Sequence, residues 1–225
     1  MALDMDDDMR PGNALGLGPG ESAQRARRAV GGDMGSATGL GVSLPASAAT
    51  RLFVGIDPGK SGAVVVLSPS AHVLAHSRLP ILGRGSRERV DIAALTAIVD
   101  SVVAPSGLLD SHVLVAIERV HSMPTDGNAS AFTFGKAVGA VFGWAEARGY
   151  AIAEVMARDW QGAMLRGYPR GSRAEIKASA TLVASDLWPI LREPLRAKNN
   201  QGIADAALIA ACVLGRFSQQ PSGSP

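Results

Sequence analysis

The sequence predicts an α/β fold: a mixed five-stranded sheet with helices on both faces. Three observations lead there. Two short apolar runs rich in Val and Ile, Arg51-Leu-Phe-Val-Gly-Ile-Asp57 and Val113-Leu-Val-Ala-Ile-Glu118, each end in an acid. Three strand-like segments come first, and strands then alternate with helix-like segments. The 225 residues are 47% hydrophobic but only 4% aromatic, which fits one well-filled core built mostly of Ala, Val, Leu and Ile.

The elements follow in chain order. Leu52–Asp57 reads as the first strand. A Gly-bearing turn at Pro58–Gly62 leads into a second, Ala63–Leu67. The tight Ser68-Pro69-Ser70 turn leads into a third, Ala71–Leu79, closing an antiparallel meander. Asp91–Val103 reads as a helix capped by Asp91. Val113–Glu118 is the fourth strand, Ser130–Arg148 a helix, and Ala151–Val155 the fifth strand. Ser172–Leu187 is a helix stopped by Pro189, and Ile203–Leu214 is the last helix.

The ends differ from this middle. Residues 1–50 are rich in Gly, Ala, Ser and Arg, with acids at Asp4 and Asp6-Asp7-Asp8 and no lasting periodicity. They read as a disordered extension, with Gln24-Arg-Ala-Arg-Arg28 and the Ser/Ala-rich end allowing a targeting role. Residues 51–217 form the domain, and 218–225 read as a disordered tail. The extension has net charge −2 and the remainder +4, so the domain is mildly basic and compatible with a phosphate-rich partner. The single cysteine, Cys212, excludes an internal disulfide and reads as a buried, inert thiol. No apolar stretch reaches the roughly 20 residues needed to cross a bilayer, so no membrane partner is expected.

The chemistry sits in three acids. Asp57 and Glu118 close strands. Asp205 lies inside the apolar run Gly202-Ile-Ala-Asp-Ala-Ala-Leu-Ile-Ala-Ala211. A carboxylate on a buried element is costly unless a positive charge shares its site. If the first and fourth strands are neighbours, Asp57 and Glu118 project side by side and a covering helix adds Asp205. Hard oxygen ligands favour magnesium, with manganese able to substitute. Each acid also has an ordinary reading: a turn residue at Asp57, an ion pair with Arg119 for Glu118, a satisfied core acid at Asp205. Together those readings need three separate explanations. Gly55-Ile-Asp-Pro-Gly-Lys-Ser61 imitates a phosphate-binding loop, but three residues rather than four precede the Gly-Lys-Ser, and a strand rather than a helix follows.

These segments resemble a known family. Gly55-Ile-Asp-Pro-Gly-x-x-Gly-Ala63, Ile117-Glu118 and Ala204-Asp-Ala-Ala-Leu-Ile-Ala210 are similar to the Holliday junction resolvases of the RuvC type, most of all to their chloroplast branch. Asp126-Gly127, Trp160, Lys177, Leu187-Trp-Pro189 and Lys198-Asn-Asn-Gln-Gly202 extend the resemblance over about residues 51–216. It implies a ribonuclease H-like fold, a homodimer, and magnesium-dependent symmetric nicking of four-way DNA junctions in recombination or segregation. It places Asp57, Glu118 and Asp205 as catalytic metal ligands and Lys177 beside the scissile phosphate. It points to a chloroplast nucleoid, with a bacterial or phage-host cytoplasm as the alternative. The pattern departs at Gly202, where the family usually has a fourth carboxylate, and at Gln201, where the chloroplast branch tends to have His. A neutral amide there can ligate weakly or orient a water but cannot act as a base.

Two basic, Gly-bearing loops suit a nucleic-acid backbone: Leu82–Arg89 with Arg84, Arg87 and Arg89, and Leu165–Arg173 with Arg166, Arg170 and Arg173. Lys60, Lys136 and Arg158 join them. Met123, Phe132 and Phe134 follow Glu118 and suit a wedge into unstacked bases, or else Phe132 and Phe134 begin the core of a helix. Gly135, Gly139 and Gly143 form a stripe facing either a second copy or the chain's own sheet. The rival readings are a catalytically weakened or inactive junction-binding protein and a sugar-kinase or actin-like ATPase, the latter needing a second lobe that the sequence does not show.

Overall fold

The computed structural model describes residues 51–59, 61–119 and 128–218. The proposed extension, Lys60, Met123, Asp126 and residues 219–225 lie outside them. Five strands form one sheet: β1 (Leu52–Asp57), β2 (Ala63–Leu67), β3 (Val73–Arg78), β6 (Val113–Arg119) and β7 (Ala151–Met156), in the order β3-β2-β1-β6-β7. The first three are antiparallel neighbours, whereas β1, β6 and β7 run parallel. That order and those directions are ribonuclease H-like, as expected. A separate two-stranded ribbon pairs β4 (Ile81–Leu82) with β5 (Arg89–Val90).

Helices cover both faces because the strands are apolar on both. Phe53, Val65, Leu67, Leu114 and Ala116 pack against α3 (Ala157–Met164), α4 (Arg173–Leu187), α5 (Arg192–Arg196) and α6 (Gln201–Ser218). Leu52, Val54, Ile56, Val64, Val115 and Ile117 pack against α1 (Ile92–Ser106) and α2 (Asn128–Ala147). Alternate residues thus serve opposite faces, the strand period of two. Helix α6 is apolar all round and nearly all buried, which marks a central helix. Its alanines let it lie against β1 so closely that a β-carbon at Gly55 would run into the Ala206 carbonyl and stand 2.9 Å from the Ala210 β-carbon. The low aromatic content therefore has a packing reason: small side chains set a short helix-to-sheet distance.

Local signals explain most boundaries. The Asp91 side chain accepts from the Ala94 N–H at 3.1 Å, starting α1, and Gly107 ends it with φ +67°. Ser172 and Glu175 form a reciprocal capping box at the start of α4. The third strand begins at Val73 rather than Ala71. Ala71 takes φ +62°, off the strand path, and its carbonyl accepts from the Trp188 indole at 2.7 Å. The segment read as a loop from Leu82 to Arg89 is the β4–β5 ribbon with its turn, and α3, in a stretch the sequence reading left unassigned, follows β7 directly. The last helix starts at Gln201 and reaches Ser218, so the expected tail loses its first residue to helix. At the far end of the sheet, Arg148 clamps Asp100 at 2.7 and 3.2 Å and Asp110 at 3.3 Å, tying the end of α2 to α1. Cys212 is buried, and that burial pushes its thiol up to about 11, as an inert core cysteine requires. Among the described residues no helix is long and apolar enough to cross a membrane.

Candidate active site

Strand register brings the first two acids together. Ile56 pairs with Ile117 in parallel, so Asp57 and Glu118 follow side by side on neighbouring strands about 4.8 Å apart. Both belong to the face that carries Phe53, Leu114 and Ala116, which is the face under α6. Asp205 sits on α6, one residue before the Ala206 carbonyl that presses on Gly55. All three acids are partly buried.

Their electrostatics show a shared site. Asp205 is pushed up to about 8, first by burial and then by the negative charges of Asp57 and Glu118, with Lys177 opposing. Burial also raises Glu118, against a hydrogen bond from Trp160, and the charge of Asp57 adds to the rise. Burial raises Asp57, against the Gly59 N–H and the charge of Lys177. Each carboxylate is thus harder to ionise than usual, because water is excluded and like charges face each other.

Particular contacts hold the acids in place. Asp57 Oδ1 accepts from the Gly59 N–H at 2.8 Å. Glu118 Oε1 accepts from the Trp160 indole at 2.9 Å. Each leaves its other oxygen outside those bonds. Lys177, on α4, donates to Gln201 Oε1 at 3.3 Å. Helix α6 does extend back to Gln201, one turn before Asp205, and the amide oxygen there is engaged by the lysine. Gly202 has a steric cause: a β-carbon would collide with the Ser61 carbonyl and lie 3.1 Å from Asp57 Oδ2. The backbone of the turn after β1 fills the space a fourth acid would need.

Hard oxygen donors, mutual repulsion and one lysine suit a divalent cation. The fit is open rather than preformed: among the described residues no three His, Cys, Asp or Glu side chains already close around one point.

A pH effect follows. An ordinary carboxyl, as in the unfolded chain, titrates near 4, whereas Asp205 in the fold titrates at about 8. Between those values the folded state binds more protons, so stability falls as pH rises from about 4 to 8. In EDTA, melting temperature is expected to drop across that window, and Asp205→Asn to flatten the slope. Magnesium or manganese is expected to restore the lost stability at pH 8. Equal slopes in the parent and Asp205→Asn would contradict the shift.

Most of the remaining predicted residues are exposed. Arg84, Arg87 and Arg89 are exposed on the ribbon, and Arg173 is exposed at the start of α4. Arg170 is exposed, and its guanidinium donates to the Gln161 carbonyl at 3.3 Å. Arg166 is exposed, while the exposed Arg158 pairs with Asp159 at 3.5 Å. Phe132 is 70% exposed with Lys136 Nζ 5.6 Å from its ring centre, whereas Phe134 is partly buried. Gly135, Gly139 and Gly143 are exposed, with open space where a β-carbon would stand, so that stripe does not pack on its own sheet. Trp160 entered the sequence reading only through the resemblance, and its bond to Glu118 was not foreseen. Its signal was the indole itself, which needs an acceptor for its N–H once buried, as Trp160 is.

The fold and site define an α/β protein with a carboxylate cluster, flanked by one lysine, at the carboxyl-terminal edge of its parallel strands. No protein-family model and no curated protein matches this chain. Among solved structures similar to it is Thermus thermophilus RuvC in complex with a Holliday junction substrate, at 19% identity and TM-score 0.45, covering 72% of this chain and 91% of that one. Another is described as the Thermus thermophilus RuvC structure, at 19% identity and TM-score 0.41, covering 72% of this chain and 92% of that one.

Proposed function

We propose that this chain is a divalent-metal-dependent endonuclease that makes symmetric nicks in four-way DNA junctions. The observation that carries it is the grouping of Asp57 and Glu118 at one sheet edge with Asp205 on the helix that covers it, where Asp57 raises the proton affinity of Glu118 and Asp205, Glu118 adds to that of Asp205, and Lys177 opposes at Asp57 and Asp205. The sequence motifs around the same acids support the choice of substrate. Magnesium or manganese held by those three would supply the charge that makes water a nucleophile and steadies the leaving oxygen of a phosphodiester. The chain's own groups prepare the site. The Gly59 N–H and the Trp160 indole each fix one carboxylate oxygen, leaving the other free for the cation. Lys177 neutralises part of the negative cluster and faces the incoming phosphate, with Gln201 holding its ammonium.

A symmetric junction suits a two-fold dimer, and the open Gly135, Gly139 and Gly143 stripe on α2 is its proposed contact. The test is incubation of purified protein with an end-labelled four-way junction, with magnesium and with EDTA, beside a linear duplex. Paired nicks on opposed strands, absent in EDTA, are expected. Absence of nicks above the Asp57→Asn background would reject catalysis.

The second reading, a junction-binding protein with weak or no cleavage, draws support from the open arrangement of the acids and from Gly202. Gln201 separates the two. With a working site, Gln201→Leu frees Lys177 and is expected to lower nicking roughly 10-fold, by the loss of one oriented charge-assisted hydrogen bond. Junction affinity should stay unchanged, and Gln201→Glu should keep most activity. Binding without cleavage in magnesium and in manganese would favour the second reading.

A further inference from the structure

We propose that the β4–β5 ribbon is a duplex-DNA contact separate from the acid cluster, gripping an arm of the substrate beside the site. This rests on the nucleic-acid reading above for its partner, and on different residues for its geometry. Register places the ribbon at the reactive edge. Asp57 pairs with Ala63 and Ala63 with Arg78, so β3 ends in the same row as Asp57, and the ribbon begins three residues later. It lies on the other face of the sheet from the acids, where Leu79 and Val90 join the core under α1 and β5 packs on α2.

The ribbon ends in a cationic tip. Gly83 (φ +85°) and Gly85 (φ +60°) turn the chain, and a β-carbon at Gly83 would meet the Arg87 carbonyl oxygen at 2.6 Å. Glu88 spends its carboxylate on the Gly85 N–H at 3.2 Å, and Asp91 spends its own on the Ala94 N–H. Both nearby acids therefore serve the backbone. Arg84, Arg87 and Arg89 stand exposed, and none forms an ion pair among the described residues. Ile81 and Leu82 are 47% and 40% exposed beside them. Three unmatched guanidiniums with two apolar side chains fit phosphates flanking a groove, which a two-stranded ribbon can enter. The ribbon carries no aromatic ring, the usual platform for single strands, so duplex is the occupant.

The full chain is tested in EDTA by fluorescence anisotropy with a labelled linear duplex, the matching single strand, and phosphatidylserine vesicles. Arg84→Ala/Arg87→Ala/Arg89→Ala is expected to weaken duplex binding about 10-fold or more. It should also flatten the log-affinity against log-salt slope by roughly 2 to 3, near 0.9 for each phosphate no longer neutralised. The triple Lys variant should keep the slope. If the triple Ala variant does not fold, Arg87→Ala alone should lower the slope by about 1. An unchanged duplex slope overturns the proposal. So does an equal loss on single strand, or a loss confined to vesicles. Binding is read in EDTA, where metal-dependent nicking does not occur, so a failed nicking assay and a failed ribbon are told apart.

Discussion

Asp57→Asn is expected to abolish metal-dependent nicking, by about 1,000-fold or more, while leaving junction affinity within a few-fold of the parent. The substitution is nearly isosteric. Its amide oxygen still accepts from the Gly59 N–H, so the turn after β1 keeps its shape. What disappears is one negative charge of the three that would hold a cation, and with it the charge that lowers the barrier; a 1,000-fold loss is about 4 kcal/mol. Stability should move the other way. Asp57 raises the proton affinity of both Glu118 and Asp205, so the three ionised acids repel one another in the metal-free fold. Removing one should raise the melting temperature in EDTA at pH 8 and abolish the further rise on adding magnesium. A variant that gains stability as it loses activity marks charges kept for chemistry rather than for folding. Nicking at parental rates by Asp57→Asn would remove these acids from the reaction, and a loss of folded protein would make the comparison one of stability alone, which circular dichroism decides.

Gly202→Asp is expected to destabilise the protein by about 3 kcal/mol or more and to add no activity, although it supplies the acid that the sequence pattern lacks. A β-carbon at this position meets the Ser61 carbonyl, which belongs to backbone and cannot turn aside as a side chain can. Relief requires either the turn after β1 or the first turn of α6 to shift, and Asp57 and Asp205 are anchored on those two elements. The new carboxylate would also stand near Asp57 Oδ2, adding a fourth like charge. Gly202→Ala separates the two effects. If sterics dominate, it loses nearly as much, roughly 6 to 12 °C in melting temperature for a domain of this size. Melting within a degree of the parent for Gly202→Ala would show that the turn yields, and the missing acid would then need another cause.

The strands were legible because their signal is local. Leu52–Asp57, Ala63–Leu67 and the start of β6 stand where the apolar runs place them. Period-two alternation also carries Asp57 and Glu118 onto one face once the strands are neighbours. The helix starts at Asp91 and Ser172 were legible for a similar reason, since a cap is a bond between residues three apart. The ribbon was not. Its strands are two residues each, too short for any periodicity, and the basic Gly-bearing turn between them hides the pairing. Helix α3 was missed because it follows β7 directly, with no cap bond from Met156 and no turn residue to punctuate the change. The left-handed residue at Ala71 was equally hidden, because it is held by Trp188, 117 positions away.

By itself the sequence determined the order of the five sheet strands and the long helices and an Ala-rich core with a buried cysteine, and it proposed the three acids and the lysine. Only the tertiary structure decided which oxygen of Glu118 is engaged, where Lys177 stands, and why residue 202 carries no side chain. The reason is the range of the interactions. Periodicity and caps act within a few residues, so they are written in consecutive letters. The Trp160–Glu118 and Lys177–Gln201 bonds join residues 42 and 24 apart, and the Gly202–Ser61 approach joins two elements whose spacing is set by the packing of α6 on β1.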